Sequence, residues 1–149
     1  MYNKRIPIPL PMFEHYANTI NNMLDINLFS NTRKIEYTYA RFLLAYTIKK
    51  KYPQTGPSRI ARFFKLKGKS THHATIIHSI KTWHKLTKKS NWDLSSQRKI
   101  LNGYTVDYIN QQLDLDYASE INRVIETVKK LSPDALELIK PCIKIALKK

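Results

Sequence analysis

The feature that most restricts this chain is the stretch from Ser58 to Leu86, where apolar residues recur at helical spacing on either side of a short basic turn. Ile60, Ala61, Phe63 and Phe64 mark the inner face of a first short helix, and Arg59, Arg62 and Lys65 face outward. Pro57 suits its first turn, because a proline there gives up an N–H that has no partner within the helix. Lys65-Leu-Lys-Gly-Lys69 makes the turn. A second helix starts at Ser70 or Thr71, either of which can cap it, and runs to about Lys88. Its apolar stripe is Ile76, Ile77, Ile80, Trp83 and Leu86, and its opposite face shows His72, Thr75, Lys81, Lys85 and Lys88.

The rest of the chain also reads as helices, with no convincing alternating strand and no internal repeat, so an all-α fold is expected. Pro7, Pro9 and Pro11 alternate with apolar residues and imply an extended arm, since each proline also biases its predecessor away from helical geometry. A helix follows over Met12–Leu24 with Phe13, Tyr16, Ala17, Ile20 and Leu24 on one side. Ser30-Asn-Thr32 then offers capping oxygens for a long helix from Arg33 to Lys51. Ile35, Tyr39, Phe42, Leu43 and Tyr46 mark the buried face of that helix, Leu44 and Ile48 widen it, and Lys49-Lys-Lys51 suits the negative end of its dipole. Ser90-Asn-Trp-Asp93 resembles a capping box for a helix reaching about Asn102, with Gly103 as its stop. Val106–Leu113 reads as a short helix, and Ile121, Val124, Ile125, Val128 and Leu131 continue at helical spacing. Ser132-Pro133 opens a last helix carrying Leu136, Ile139, Ile143 and Leu147, with Pro141 as a kink. Three parts are expected: an arm and short helix over 1–31, a helix pair with its supporting helix over 32–90, and a helical extension over 91–149.

Charge separates these parts. Among the 149 residues, with a formal net charge of +15, positions 1–90 hold seventeen Lys and Arg against Glu14, Asp25 and Glu36, a balance of +14. Positions 91–149 hold nine against eight, a balance of +1. Glu36 is the only acid between Arg33 and Lys89. A field so concentrated attracts a polyanion, whereas a face that merely keeps a protein soluble usually intersperses acids.

Several other chemistries are not expected. Cys142 is the sole cysteine, which excludes an intramolecular disulfide, fits a reducing compartment and reads as a small buried hydrophobe. The start of the chain is too broken by proline for a signal peptide, and no run approaches the roughly 20 apolar residues of a membrane span. A cytoplasmic protein is expected, nucleoid-associated or, for a phage or mobile element, in the host cytoplasm. His72, His73 and His78 do not share a helix face, so they do not form a metal site. Asp114, Asp116 and Glu120 have the chemistry to hold magnesium, but acids near a helix start more commonly serve capping and the dipole. Gly68-Lys-Ser70 lacks the upstream glycine of a nucleotide-binding P-loop. No catalytic residue, metal or cofactor is expected.

Within this frame, Arg33–Leu86 resembles the C-terminal DNA-binding domain of the bacterial replication initiator DnaA, a helix-turn-helix related in architecture to the Trp repressor. The resemblance rests on Arg33-Lys34, Ala40-Arg41 and Tyr46, on Ile60-Ala61 and Phe64, and on Thr71-His-His-Ala-Thr-Ile-Ile-His-Ser79. Thr71-His72 stands where that family has Arg-Asp, Ala74 stands for its Ser/Thr, and the turn before His73 is longer. The resemblance implies double-stranded DNA binding without the ATPase motor of the full initiator, in replication or transcription control. It also implies that Arg33 enters a minor groove while His72, His73 and Ala74 read base edges in the major groove.

The side chains suit those roles. Histidine can donate or accept at a base edge, and an alanine methyl can touch thymine. An arginine in a narrow minor groove responds to its shape and A·T content. Lys34, Arg41, Arg59, Lys67, Lys69 and Lys81 are cations for phosphates, and Ser70, Thr71 and Thr75 bring hydroxyls. His78 either packs at the domain surface or joins the phosphate contacts. The extension over 91–149 is compatible with core packing, a protein partner or a homodimer. Two other readings share the composition: a basic RNA-binding or packaging protein without sequence preference, and an interaction module whose basic face meets an acidic protein.

Overall fold

In the computed structural model, which describes residues 10–88, 92 and 94–147, every described element is α-helical. The chain divides into two compact units, one over Ile8–Gln111 and another that includes Gln112–Lys149. Among the described residues no helix is long and apolar enough to cross a membrane. The proline-rich start before Leu10, and the capping residues at Ser90, Asn91 and Asp93, lie outside the described residues, as does the side chain of Cys142.

The first unit is built around a helix that is buried on more than one side. This helix, α2 (Ile35–Lys51), buries Ala40, Leu43, Leu44, Ala45, Thr47 and Ile48. The sequence suggested a single stripe that included Ile35, but Ile35 is 50% exposed and Tyr39, Phe42 and Tyr46 are only half-buried. The difference has a packing cause, since α2 meets α1 (Leu10–Leu24), α4 (His73–Lys88) and α5 (Leu94–Ile100). A helix touched from several sides admits small residues such as Ala40, Ala45 and Thr47 at its close approaches, and periodicity cannot anticipate this.

Helix α1 buries Phe13, Tyr16, Ala17, Ile20 and Leu24, the face its spacing predicts. It begins at Leu10, so Pro11 lies inside its first turn rather than in an arm, a position where the missing N–H costs nothing. After α1, Leu28 and Phe29 turn inward although they belong to a connection. Phe29 meets Phe63 and Phe64 edge-on at 5.8 and 5.5 Å between ring centres, and Phe13 meets Phe63 at 5.6 Å. These rings fasten α1 and its following loop to α3 (Pro57–Leu66). At the other end Trp92 packs edge-on against Trp83 at 5.5 Å, and Gln97 of α5 donates to the Trp92 carbonyl while accepting from the Val106 N–H. The expected divisions at 31/32 and 90/91 therefore fall inside one compact unit.

Helix α3 is capped by Gly56, starts with Pro57 and buries Ile60, Ala61, Phe63 and Phe64. It ends at Leu66, and Gly68, two residues on, has a φ of +90° that lets the Gly68 and Lys69 N–H groups return to the carbonyls of Lys65 and Phe64. A side chain at Gly68 would meet no neighbour, so any cost of Gly68→Ala is conformational. We expect a loss of about 1 kcal/mol, read from urea unfolding at unchanged m-value. A stability equal to the parent would mean that the turn has an alternative geometry.

Helix α4 buries Ile76, Ser79 and Trp83, with Ile80 and Leu86 half-buried. Ile77, expected in that stripe, is 37% exposed, and the smaller Ser79 takes the inward position with its hydroxyl donated to the Thr75 carbonyl. Helix α5 ends at Ile100, and Gly103 follows with a φ of +85°.

Beyond it, Val106–Lys129 is one continuous helix, α6, rather than a short helix followed by a separate segment. In the second unit Ile121, Val124 and Ile125 keep their helical spacing and are between 40% and 50% exposed. Helix α7 (Pro133–Leu147) is capped by Ser132, whose hydroxyl accepts from the Ala135 N–H, and it continues through Pro141.

Candidate nucleic-acid interface

The first turn of α4 stands out from the rest of that helix. His72, His73, Ala74 and Thr75 are all exposed, one turn before the helix becomes buried at Ile76 and Ser79. The sequence placed the helix start at Ser70 or Thr71, but α4 begins at His73 and neither residue caps it. The Thr71 hydroxyl instead donates to the Lys69 carbonyl, closing the turn. The cap is His72, whose Nδ1 accepts from the Ala74 N–H at 3.2 Å. This bond requires an unprotonated Nδ1, leaving Nε2–H as a donor toward solvent. The neighbouring rings of His72 and His73 lie 4.1 Å apart. Histidine is not among the residue types preferred at helix N-caps, so the sequence points to the hydroxyls instead.

A cleft of about 250 Å³ borders this turn. Thr38, Arg41 and Phe42 of α2 line one side, while Lys69, Ser70, Thr71, His72 and Thr75 belong to the other. Residues expected to serve the same polyanion thus come from two segments far apart in sequence. The Lys69 ammonium also reaches Asn31 Oδ1 at 3.4 Å, tying the turn before α4 to the loop that precedes α2. Arg33 and Lys34 are exposed at the end of that loop, and Lys34 occupies the cap position of α2 with its N–H on the Thr32 hydroxyl.

Arg41 has a different occupation from the one its sequence position suggested. Its guanidinium donates through Nε to the Leu28 carbonyl at 2.6 Å, through one Nη to the Thr32 carbonyl at 3.0 Å and through the other to the Ser30 carbonyl at 2.5 Å. Burial lowers its pKa from the ordinary value, yet a guanidinium stays charged across the usual pH range. Arg41 therefore shapes the loop that leads to Arg33. Three backbone carbonyls of one loop have no signature in a sequence, so this partnership was not legible there.

The other cations divide in the same manner. Lys67 pairs with Glu14 of α1 at 2.5 Å, so it is engaged with its own fold as well as placed at the turn. Lys49 donates to the carbonyls of Pro53 and Thr55 at the end of α2. Arg59 is half-buried on α3, Ser70 is exposed in the turn, and Lys81 is exposed two turns along α4. His78 meets the Phe42 ring edge-on at 5.9 Å and lies 3.4 Å from the Thr82 hydroxyl, the packing alternative foreseen for it.

Among the described residues no three His, Cys, Asp or Glu side chains converge as a metal site. Asp114, Asp116 and Glu120 fall in the interior of α6 rather than near a helix start, which removes the capping role suggested for them. The side chains of Asp116 and Glu120 lie outside the described residues. Comparison of the chain with protein-family models, curated proteins and solved structures returned no match.

Proposed function

We propose that the chain is a double-stranded-DNA-binding protein in which α3 and α4 act as a DnaA-like helix-turn-helix, serving replication or transcription control without catalysis, metal or cofactor. The observation that carries this reading is the exposed first turn of α4. Four successive side chains able to contact base edges or phosphates are exposed at a helix N-terminus, beside a cleft with Lys69 at its edge. A major groove admits such a helix end-first, and its base edges answer donors, acceptors and methyl groups of these kinds. His72, His73 and Ala74 are the proposed readers of bases in the major groove, with Arg33 in the adjacent minor groove. Lys34, Arg59, Lys67, Lys69, Lys81, Ser70, Thr71 and Thr75 hold the register on phosphates. The exposed Ile121, Val124 and Ile125 are where we place a protein partner or a second copy of the chain.

Selection of bound duplexes from a random pool, followed by competition at moderate salt, tests the proposal. The selected duplex should outcompete bulk DNA and RNA by about a thousandfold or more. Lys69→Ala should weaken every duplex by a similar factor and lower the salt slope by about one. Equal affinity for all three competitors would support the packaging reading instead. Absence of duplex binding even at low salt would leave the basic face to an acidic protein.

A further inference from the structure

Ile77 occupies a position that a soluble helix ordinarily gives to a polar side chain. It is 37% exposed, while Ser79, two residues on, is buried with its hydroxyl returned to the Thr75 carbonyl. A serine inside and an isoleucine outside on one helix reverses the usual preference. The reversal is local. Ile76 and Trp83 are buried as the periodicity requires, so the register of α4 has not slipped.

Helical spacing sets Ile77 on the same exposed side as its neighbours from the proposed reading turn. Ala74 precedes it by three residues and His73 by four, and Lys81 follows by four; all are exposed. That side therefore presents two apolar side chains, a methyl at Ala74 and a branched butyl group one turn deeper, between an imidazole and an ammonium. Such a mixed stripe is poorly suited to a protein core, because both ends carry polar or charged heads. It suits a major groove, whose floor is polar except for one feature. The thymine C5-methyl is the single apolar group that a base pair offers there.

Resting on the DNA-binding reading above, we infer that Ile77 is a specificity-determining residue that packs on a thymine methyl one step beyond the bases met by His73 and Ala74. The preferred duplex accordingly carries a thymine at a fixed place relative to the first turn of α4. Ile77 adds no hydrogen bond and no charge, so its whole contribution depends on that methyl. A cytosine at the same place would set its amino group against an isoleucine that cannot accept from it.

The probe is the duplex recovered by random-pool selection, with each thymine in turn replaced by deoxyuridine, bound to the full-length chain. This exchange deletes the methyl and keeps every base-pairing and groove hydrogen-bonding atom. At one thymine the parent protein should lose about fourfold in affinity, the value of one methyl-sized apolar contact. Ile77→Ala should bind the thymine duplex about as weakly as the parent binds the uracil duplex, and should bind both forms equally. Its melting temperature should remain near that of the parent, since the side chain is exposed. A parent indifferent to uracil at every position would overturn the inference and leave the binding proposal standing, as would an Ile77→Ala variant that still distinguishes thymine from uracil at each position where the parent does. If selection recovers no preferred duplex, the binding proposal itself fails.

Discussion

Replacing Arg41 by alanine should destabilise the fold by about 2–3 kcal/mol, with a fall in melting temperature of about 10 °C or more. Three carbonyls of the 28–32 loop lose a charged donor together, and Leu28 and Phe29, buried in that same loop, lose the frame that holds them. Arg41→Lys should recover little, because one ammonium cannot reproduce a planar fork aimed at three oxygens. The competing reading, Arg41 as a phosphate ligand, makes the opposite forecast. It requires nearly unchanged stability and a salt slope of DNA binding reduced by about one. Calorimetry and a salt titration on the same variant separate the two. With Arg41 acting inside the loop, the folded variant at low temperature keeps the salt slope and loses discrimination at the sites read by Arg33.

The second large effect concerns the paired histidines, which should come apart on substitution. His73→Ala is expected to cost about 1–3 kcal/mol on the preferred duplex and to relax specificity, while leaving thermal stability unchanged. Its ring is exposed and makes no hydrogen bond to the described residues, so nothing in the fold depends on it except the contact with His72. His72→Ala should lose binding as well, but should also lower stability by about 1 kcal/mol, because the cap on the Ala74 N–H disappears. His72→Asn, which can accept at the same N–H, should restore the stability without restoring the base preference. If both alanine variants behave alike in melting and in binding, the division of labour at the start of α4 is wrong.

Much of the fold could be read from spacing alone where a helix meets the core along a single face. The five buried positions of α1, the four of α3 and the Pro57 start follow from periodicity and from the place a proline takes in a first turn. Legibility ended where the surroundings of a helix decide its burial. In α2, small residues are buried and Ile35 is not, because neighbours approach from several sides. In α6, no glycine or proline interrupts the stretch between Leu113 and Ile121, so one helix runs through where two had been expected. The basic stretch was visible as charge, but the partners of its cations were not. Arg41 and Lys49 reach backbone carbonyls and Lys67, exposed in the turn, pairs with Glu14, partners set by tertiary structure. His72 is the converse case, a residue expected only to read DNA that also completes its own helix.

The arrangement around Arg41 also bears on the thermodynamics of binding. A loop already fastened at Leu28, Ser30 and Thr32 presents Arg33 on a scaffold that folding has set, and α4 enters with its first turn capped. The conformational entropy of ordering these segments is lost when the protein folds and does not recur when DNA arrives. On the proposed DNA-binding reading, association should proceed as a rigid docking, with a heat-capacity change confined to the apolar surface covered at the groove and without the larger signature of a segment that folds on its target.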